Sequence, residues 1–65
     1  MTTGQAIKYH RRKILMTQEE MKLALGYKDK SSISKIENDL STPPLKTLRR
    51  IAQVLGVELK DIIGE

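Results

Sequence analysis

At 65 residues the chain has room for one domain, and a domain this small buries only about 60% of its unfolded surface. It has no cysteine and a single histidine, which excludes disulfides and the usual metal sites, and it lacks both a leader's apolar segment and the roughly 18-residue apolar run of a membrane span. The net charge of +4 is uneven: residues 1–36 carry eight Lys and Arg against three acids, and residues 37–65 carry four against five, which suits a polyanionic partner as well as it suits a solvated basic face.

Strand signals are weak, with two valines, two tyrosines and no period-2 alternation. Helical spacing recurs instead. The first helix opens at Thr2-Thr3-Gly4-Gln5, where Gln5 stands three residues beyond Thr2 as a capping box requires. Ile7, His10 with Arg11, and Ile14 share its inward face, and Lys8, Arg12 and Lys13 take the other. His10 is expected to pack half-buried rather than to sense pH.

Thr17-Gln18-Glu19-Glu20 starts a second helix. Thr17 and Glu20 form another capping box, acids fill the first turn, and Met16 and Met21 are spaced as a hydrophobic staple. Met21, Ala24 and Leu25 make its apolar stripe, Leu23 falls off that stripe, and Gly26 stops the helix. After the turn Tyr27-Lys28-Asp29, Asp29 caps a third helix whose first turn is Lys30-Ser31-Ser32. Ile33 and Ile36 face inward, Leu40 ends the stripe, and Asn38-Asp39 mark the exit because both residue types tolerate a left-handed backbone.

Two prolines make Ser41-Thr42-Pro43-Pro44 a loop, with Thr42 a candidate cap and Pro43 a first helical residue. The fourth helix carries Leu45, Leu48, Ile51 with Ala52, and Leu55 on one face and stops at Gly56. A last short helix bears Leu59, Ile62 and Ile63, more apolar surface than one turn needs. The surplus is a candidate dimer contact and the rest packs on the first and fourth helices. The expected fold is all-α: five short helices, tight connections, no internal repeat.

The second and third helices carry the functional signal. A pair joined by so few residues crosses steeply. The third helix turns Lys30, Ser31, Ser34, Lys35 and Asn38 outward, short or cationic hydrogen-bonding groups in place of the Glu–Lys pairs of a merely soluble helix. Lysine can donate to guanine O6 and N7, and asparagine can pair with adenine or hold a phosphate. No catalytic constellation, Gly-rich phosphate loop or carboxylate cluster is present, so neither an enzyme, a cofactor nor a small-molecule substrate is expected.

Thr17-Gln18-Glu19-Glu20-Met21, Leu25-Gly26, Ile33-Ser34-Lys35-Ile36-Glu37, Pro43, Leu48, Ile51-Ala52 and Leu55-Gly56-Val57, in this register, resemble the XRE-type, lambda-repressor-like helix-turn-helix family over nearly the whole chain. The resemblance implies a compact five-helix domain that binds a double-stranded DNA operator, acting in the cytoplasm as a homodimeric transcriptional regulator, a repressor in the usual case. It implies that Gln18 bonds a phosphate and braces the third helix, with Thr17 beside it at the helix start. Lys30, Ser31, Ser34 and Lys35 fall at base-reading positions, with Lys28 and Ser32 completing that surface, and Asn38 falls where backbone or base is touched. Lys46 lies where a second phosphate is held, and Arg11 and Glu37 match a mostly buried ion pair. Leu59, Ile62 and Ile63 remain the candidate dimer contact.

The chain departs from the family pattern at three positions and by one extra residue in Tyr27-Lys28-Asp29. Lys22 stands where a small residue is usual, Asp39 replaces the glycine after the third helix, and Pro44 replaces the serine cap of the fourth. A module of the same fold that binds a protein instead (antitoxin-like or adaptor) would use an apolar surface at Leu23 or at Ile62 and Ile63. A nonspecific architectural DNA binder would show no operator preference.

Overall fold

The computed structural model describes residues 1–63. Four α-helices follow one another: α1 (Thr3–Lys13), α2 (Gln18–Leu25), α3 (Ser31–Glu37) and α4 (Leu45–Leu55). A single 3-10 turn, Leu59–Asp61, stands where a fifth α-helix was expected. It is three residues long, with Ile62 directly after it, and its bonds run i to i+3, as in Asp61 N–H to the Glu58 carbonyl (2.9 Å).

Both predicted capping boxes form. Gln5 N–H donates to Thr2 Oγ1 (3.1 Å) and Thr2 N–H donates to Gln5 Oε1 (2.9 Å). The Thr17–Glu20 pair repeats this at 3.0 and 2.8 Å. Each box satisfies two amides that a helix start leaves without intrahelical partners. The fourth helix is capped differently from expectation: Pro44 occupies the cap position with no side-chain bond, and Pro43 is buried rather than helical.

All four α-helices end by one device. A residue one or two positions past the helix turns left-handed, its amide bonds back across the last turn, and the next amide reaches one residue further. Leu15 (φ 58°), Gly26 (81°), Asp39 (60°) and Gly56 (74°) take the left-handed position. The following amides, from Met16, Tyr27, Leu40 and Val57, reach the carbonyls of Arg11, Lys22, Lys35 and Ala52 at 2.8–3.1 Å. Two of the four stops are therefore glycines and two are not.

The core joins Ala6 and Ile7 of α1, Met21 of α2, Ile33 and Ile36 of α3, and Ile51, Ala52 and Leu55 of α4, closed from below by Ile62. Met16, partly buried, packs against this core, of which Met21 is a member. Each fully buried aliphatic side chain contributes about 1.5–3 kcal/mol. Four residues expected on the apolar faces are at the surface instead, among them Ala24 of α2. Ile14 follows the last turn of α1 and is half exposed, and Leu40 lies beyond the Asp39 stop with 77% of its surface in solvent. Leu45, at the first position of α4, is also half exposed.

The first and third helices meet at their ends. Asp39, just past α3, accepts from Gly4 N–H (3.0 Å) and from the Thr2 hydroxyl (2.6 Å), so it caps the start of α1 from outside. Gly4 fits there because it lacks a side chain: a Cβ would stand 2.5 Å from the Ile36 carbonyl oxygen and 2.7 Å from that of Glu37.

Candidate nucleic-acid interface

The third helix is anchored along one side only. Ile33, Ile36 and Glu37 are buried, Ser32 and Ser34 are half-buried, and Ser31, Lys35, Asn38 and the preceding Lys30 are exposed. Lys28, in the turn before it, is exposed too. The exposed set is short or cationic, which lets a backbone or a base edge approach closely.

The leading turn is fixed by Asp29. Its Oδ1 accepts the Ser31 amide (3.0 Å) and its carbonyl accepts the Ser32 amide (3.1 Å). It does this from two residues upstream of Ser31, where the helix begins; Lys30 holds the cap position itself and makes no side-chain cap bond. The Ser31 amide holds the Asp29 carboxyl below its ordinary value against an opposing effect of desolvation, with lesser help from the Ser31 hydroxyl, Lys22 and Lys35.

A buried ion pair ties α3 to α1. Arg11 Nε donates to Glu37 Oε2, its Nη2 to Oε1 (3.1 Å), and its Nη1 to the Met16 carbonyl (2.7 Å). Gln18 Nε2 adds a third donor to Glu37 Oε1 (3.1 Å). Glu37 retains 4% of its surface, yet every buried side-chain polar atom among the described residues has a partner. The bidentate fork offsets much of the cost of burying both charges. Gln18 is therefore a brace for the third helix, because its amide is bonded to a residue of that helix.

The starts of α2 and α4 differ. That of α2 is occupied by its capping box and by the carboxylates of Glu19 and Glu20. That of α4 has neither a side-chain cap nor an acid in its first turn, and exposed Lys46 sits there. Lys22, one turn on from Gln18, lies half-buried with its ammonium on Glu19 (2.7 Å), so a lysine fits this packed position by pairing at its tip. Arg50 reaches from α4 to the Ala24 carbonyl at the end of α2 (3.2 Å), where a cation suits the dipole.

A helix-turn-helix family profile matches residues 7–62, from the first fully buried residue of α1 to the last of the core. The chain belongs to the XRE-type helix-turn-helix family. The immunity repressor protein of Bacillus phage phi105 is 35% identical over 65 residues, all of this helix-turn-helix chain but 44% of that protein, so the chain spans less than half of its length. The crystal structure of SinR, named as the master regulator for biofilm formation in complex with DNA, matches with a TM-score of 0.80 at 30% identity. The match covers 92% of this chain and 98% of that one. Both relatives are named as regulators, not enzymes.

Of the three residues expected at a dimer contact, Ile62 is wholly inside the core, with 0% exposure, and has no surface to offer a partner. Leu59 is half-buried and Ile63 is exposed. Sequence reasoning did not find the Asp39–Gly4 contact. Its one sequence signal was a glycine in the first turn of a helix, where alanine would form the helix better.

Proposed function

We propose that this helix-turn-helix domain binds double-stranded DNA at a specific sequence, as a transcriptional repressor acting as a homodimer on a palindromic operator. The observation that carries the reading is the one-sided anchoring of α3: Ile33, Ile36 and Glu37 fix it, and Ser31, Lys35 and Asn38 are exposed for a major groove. In this reading Lys30, Ser31, Ser34 and Lys35 meet base edges, Lys28 and Ser32 support them, and Thr17, Gln18 and Lys46 lie along the phosphates. The relatives add support, since one is a phage repressor and the other is described in complex with DNA.

Half-sites one helical turn apart put two recognition helices about 34 Å from each other. A domain of 28 × 23 × 19 Å then nearly touches its copy, so a small contact at Leu59 and Ile63 suffices. The test is selection from random duplexes at low and high salt, with sedimentation of the bound species. A palindromic consensus bound by two copies, with affinity falling steeply with salt, is the expected result. Binding without preference would make the domain an architectural binder. Salt-insensitive, negligible binding would favour an antitoxin-like or adaptor role through the exposed Leu23.

A further inference from the structure

Asp39 ends α3 with a left-handed backbone (φ 60°), a conformation that costs an L-residue and that glycine takes freely. Its carboxylate serves a different element. Oδ1 accepts the Gly4 amide (3.0 Å) and Oδ2 accepts the Thr2 hydroxyl (2.6 Å). The first turn of α1 contains no acid, so Asp39 supplies from outside the anion that a helix start favours. The two helices approach so closely there that no Cβ fits on Gly4.

The third helix has few other fixings. It is seven residues long, about 10 Å. Asp29 caps its leading turn, and Asn38 Nδ2 donates to the Ser34 carbonyl (2.9 Å), but both bonds lie within the segment itself. Glu37 ties it to the interior, and Asp39 ties its exit to α1.

We infer that Asp39 is a positioning residue for the recognition helix. By clamping the exit of α3 onto the start of α1, it fixes the pose in which Ser31, Ser34, Lys35 and Asn38 meet the groove. The inference rests on the DNA-binding reading above and adds Asp39, Thr2 and Gly4, which act through α3. Reading base edges demands a fixed pose, whereas non-specific binding is Coulombic and tolerates a loose one. A clamp set before DNA arrives removes an ordering cost from the specific complex. Its loss therefore lowers the specificity ratio, the affinity for the operator divided by that for a scrambled duplex. The ratio also cancels the change in charge, because removing a carboxylate strengthens binding to every duplex alike.

The test compares parent, Asp39→Gly and Asp39→Asn on the operator selected with the parent and on a scrambled duplex, at a temperature where each is folded by circular dichroism. Glycine accepts the left-handed backbone and removes the clamp. Asparagine removes the charge and keeps the reach: its Oδ1 can accept the Gly4 amide and its Nδ2 can donate to the Thr2 hydroxyl oxygen. Asp39→Gly is expected to lower the ratio about three- to tenfold, the range that ordering one side chain costs on association, with Asp39→Asn within about twofold of the parent. A role in stability alone would lower the melting temperature of Asp39→Gly and leave its ratio at the parent's value, and that result overturns the inference. So does an equal drop in both variants, which would make the charge the cause. Should Asp39→Gly not fold, Thr2→Val breaks the clamp from the α1 side without altering the sequence of α3, and an unchanged ratio there overturns the inference equally. A parent that prefers no sequence removes the operator reading and this inference together. A preference that Asp39→Gly retains in full removes only the latter.

Discussion

Asp39 caps Gly4 across the fold: the carboxylate that ends α3 accepts the Gly4 amide at 3.0 Å, so the exit of one helix satisfies the start of another. The close approach requires glycine. Replacing glycine by alanine inside a helix ordinarily stabilises by roughly 0.5–1 kcal/mol. At Gly4 the new Cβ would meet two backbone oxygens and the Asp39 carboxylate within 2.7 Å, and backbone cannot swing aside. Gly4→Ala is therefore expected to destabilise by about 1–3 kcal/mol, as overpacking does. Urea denaturation would show this as a lower midpoint, and a midpoint at or above the parent's would mean the helices slide apart freely.

Leu15 occupies the same left-handed position as Gly26 and Gly56, with 89% of its surface in solvent. It takes the conformation without a compensating side-chain contact. A left-handed backbone costs an L-residue about 1–2 kcal/mol, and glycine returns part of that gain through its looser unfolded chain. Leu15→Gly should raise stability by about 0.5–1 kcal/mol, and Leu15→Val should lower it, because β-branching makes the conformation worse. Thermal melts of the pair check the order. A less stable glycine variant would show that Leu15 makes a contact worth more than its strain.

What the sequence revealed and what it hid divide along these helix ends. Gly26 and Gly56 announced their stops, because glycine at the end of an apolar stripe has few other uses. Leu15 did not, since nothing in a leucine signals a left-handed turn. Periodicity therefore ran on to Ile14, and in the same way it ran past Asp39 to Leu40. Spacing describes a helix that continues; where it stops is decided by how the chain must turn to bring α1 against α3. The Arg11–Glu37 pair was legible only through the family resemblance, because it joins residues 26 apart that no local pattern links. The outward face of α3 was legible from residue type alone, although the internal Asn38–Ser34 bond was not.

Glu37 receives Arg11 through two bonds and Gln18 through a third, all at a nearly closed site. Glu37→Ala strands the guanidinium in the interior and should cost about 3–5 kcal/mol. A domain of this size has a total stability of about 3–10 kcal/mol, so the variant should lose a large share of it and melt well below the parent. Replacing Arg11 and Glu37 together by Met and Leu should recover much of that stability, because no charge is then unpaired. An unchanged melting temperature for Glu37→Ala would mean that water reaches the pair.

The Asp29 cap gives the leading turn of α3 a pH dependence of known sign. Its carboxyl is held below the ordinary value of 3.8, chiefly by the Ser31 amide. A depressed folded-state pKa means that the cap contributes above the ordinary value and is lost as pH falls through the lowered one. The Ser31 amide resonance should shift together with the Asp29 carboxyl on acid titration, at a midpoint below 3.8. A midpoint at or above that value would show that the cap does not persist in solution.

Lys35 separates binding from folding. It is exposed and holds no ion pair among the described residues, so Lys35→Ala should alter stability by no more than about 0.5 kcal/mol. Its effect on DNA depends on which atom the ammonium meets. If that atom is a phosphate oxygen, the variant should bind all duplexes more weakly and to the same degree, with a salt dependence flatter by about 0.9 in the log–log slope. If it is a base edge, the variant should instead relax the consensus at one pair, at a cost of about 1–3 kcal/mol on the selected operator. Lys35 lies beside Ser31 and Ser34 on the outward face, so the second pattern is expected, and the salt slope should fall only in so far as the charge also neutralises the backbone. Titrations of parent and variant at several salt concentrations, on the operator and on a scrambled duplex, distinguish the two. Equal affinity of both proteins on the operator would place Lys35 outside the interface and turn α3 away from the groove.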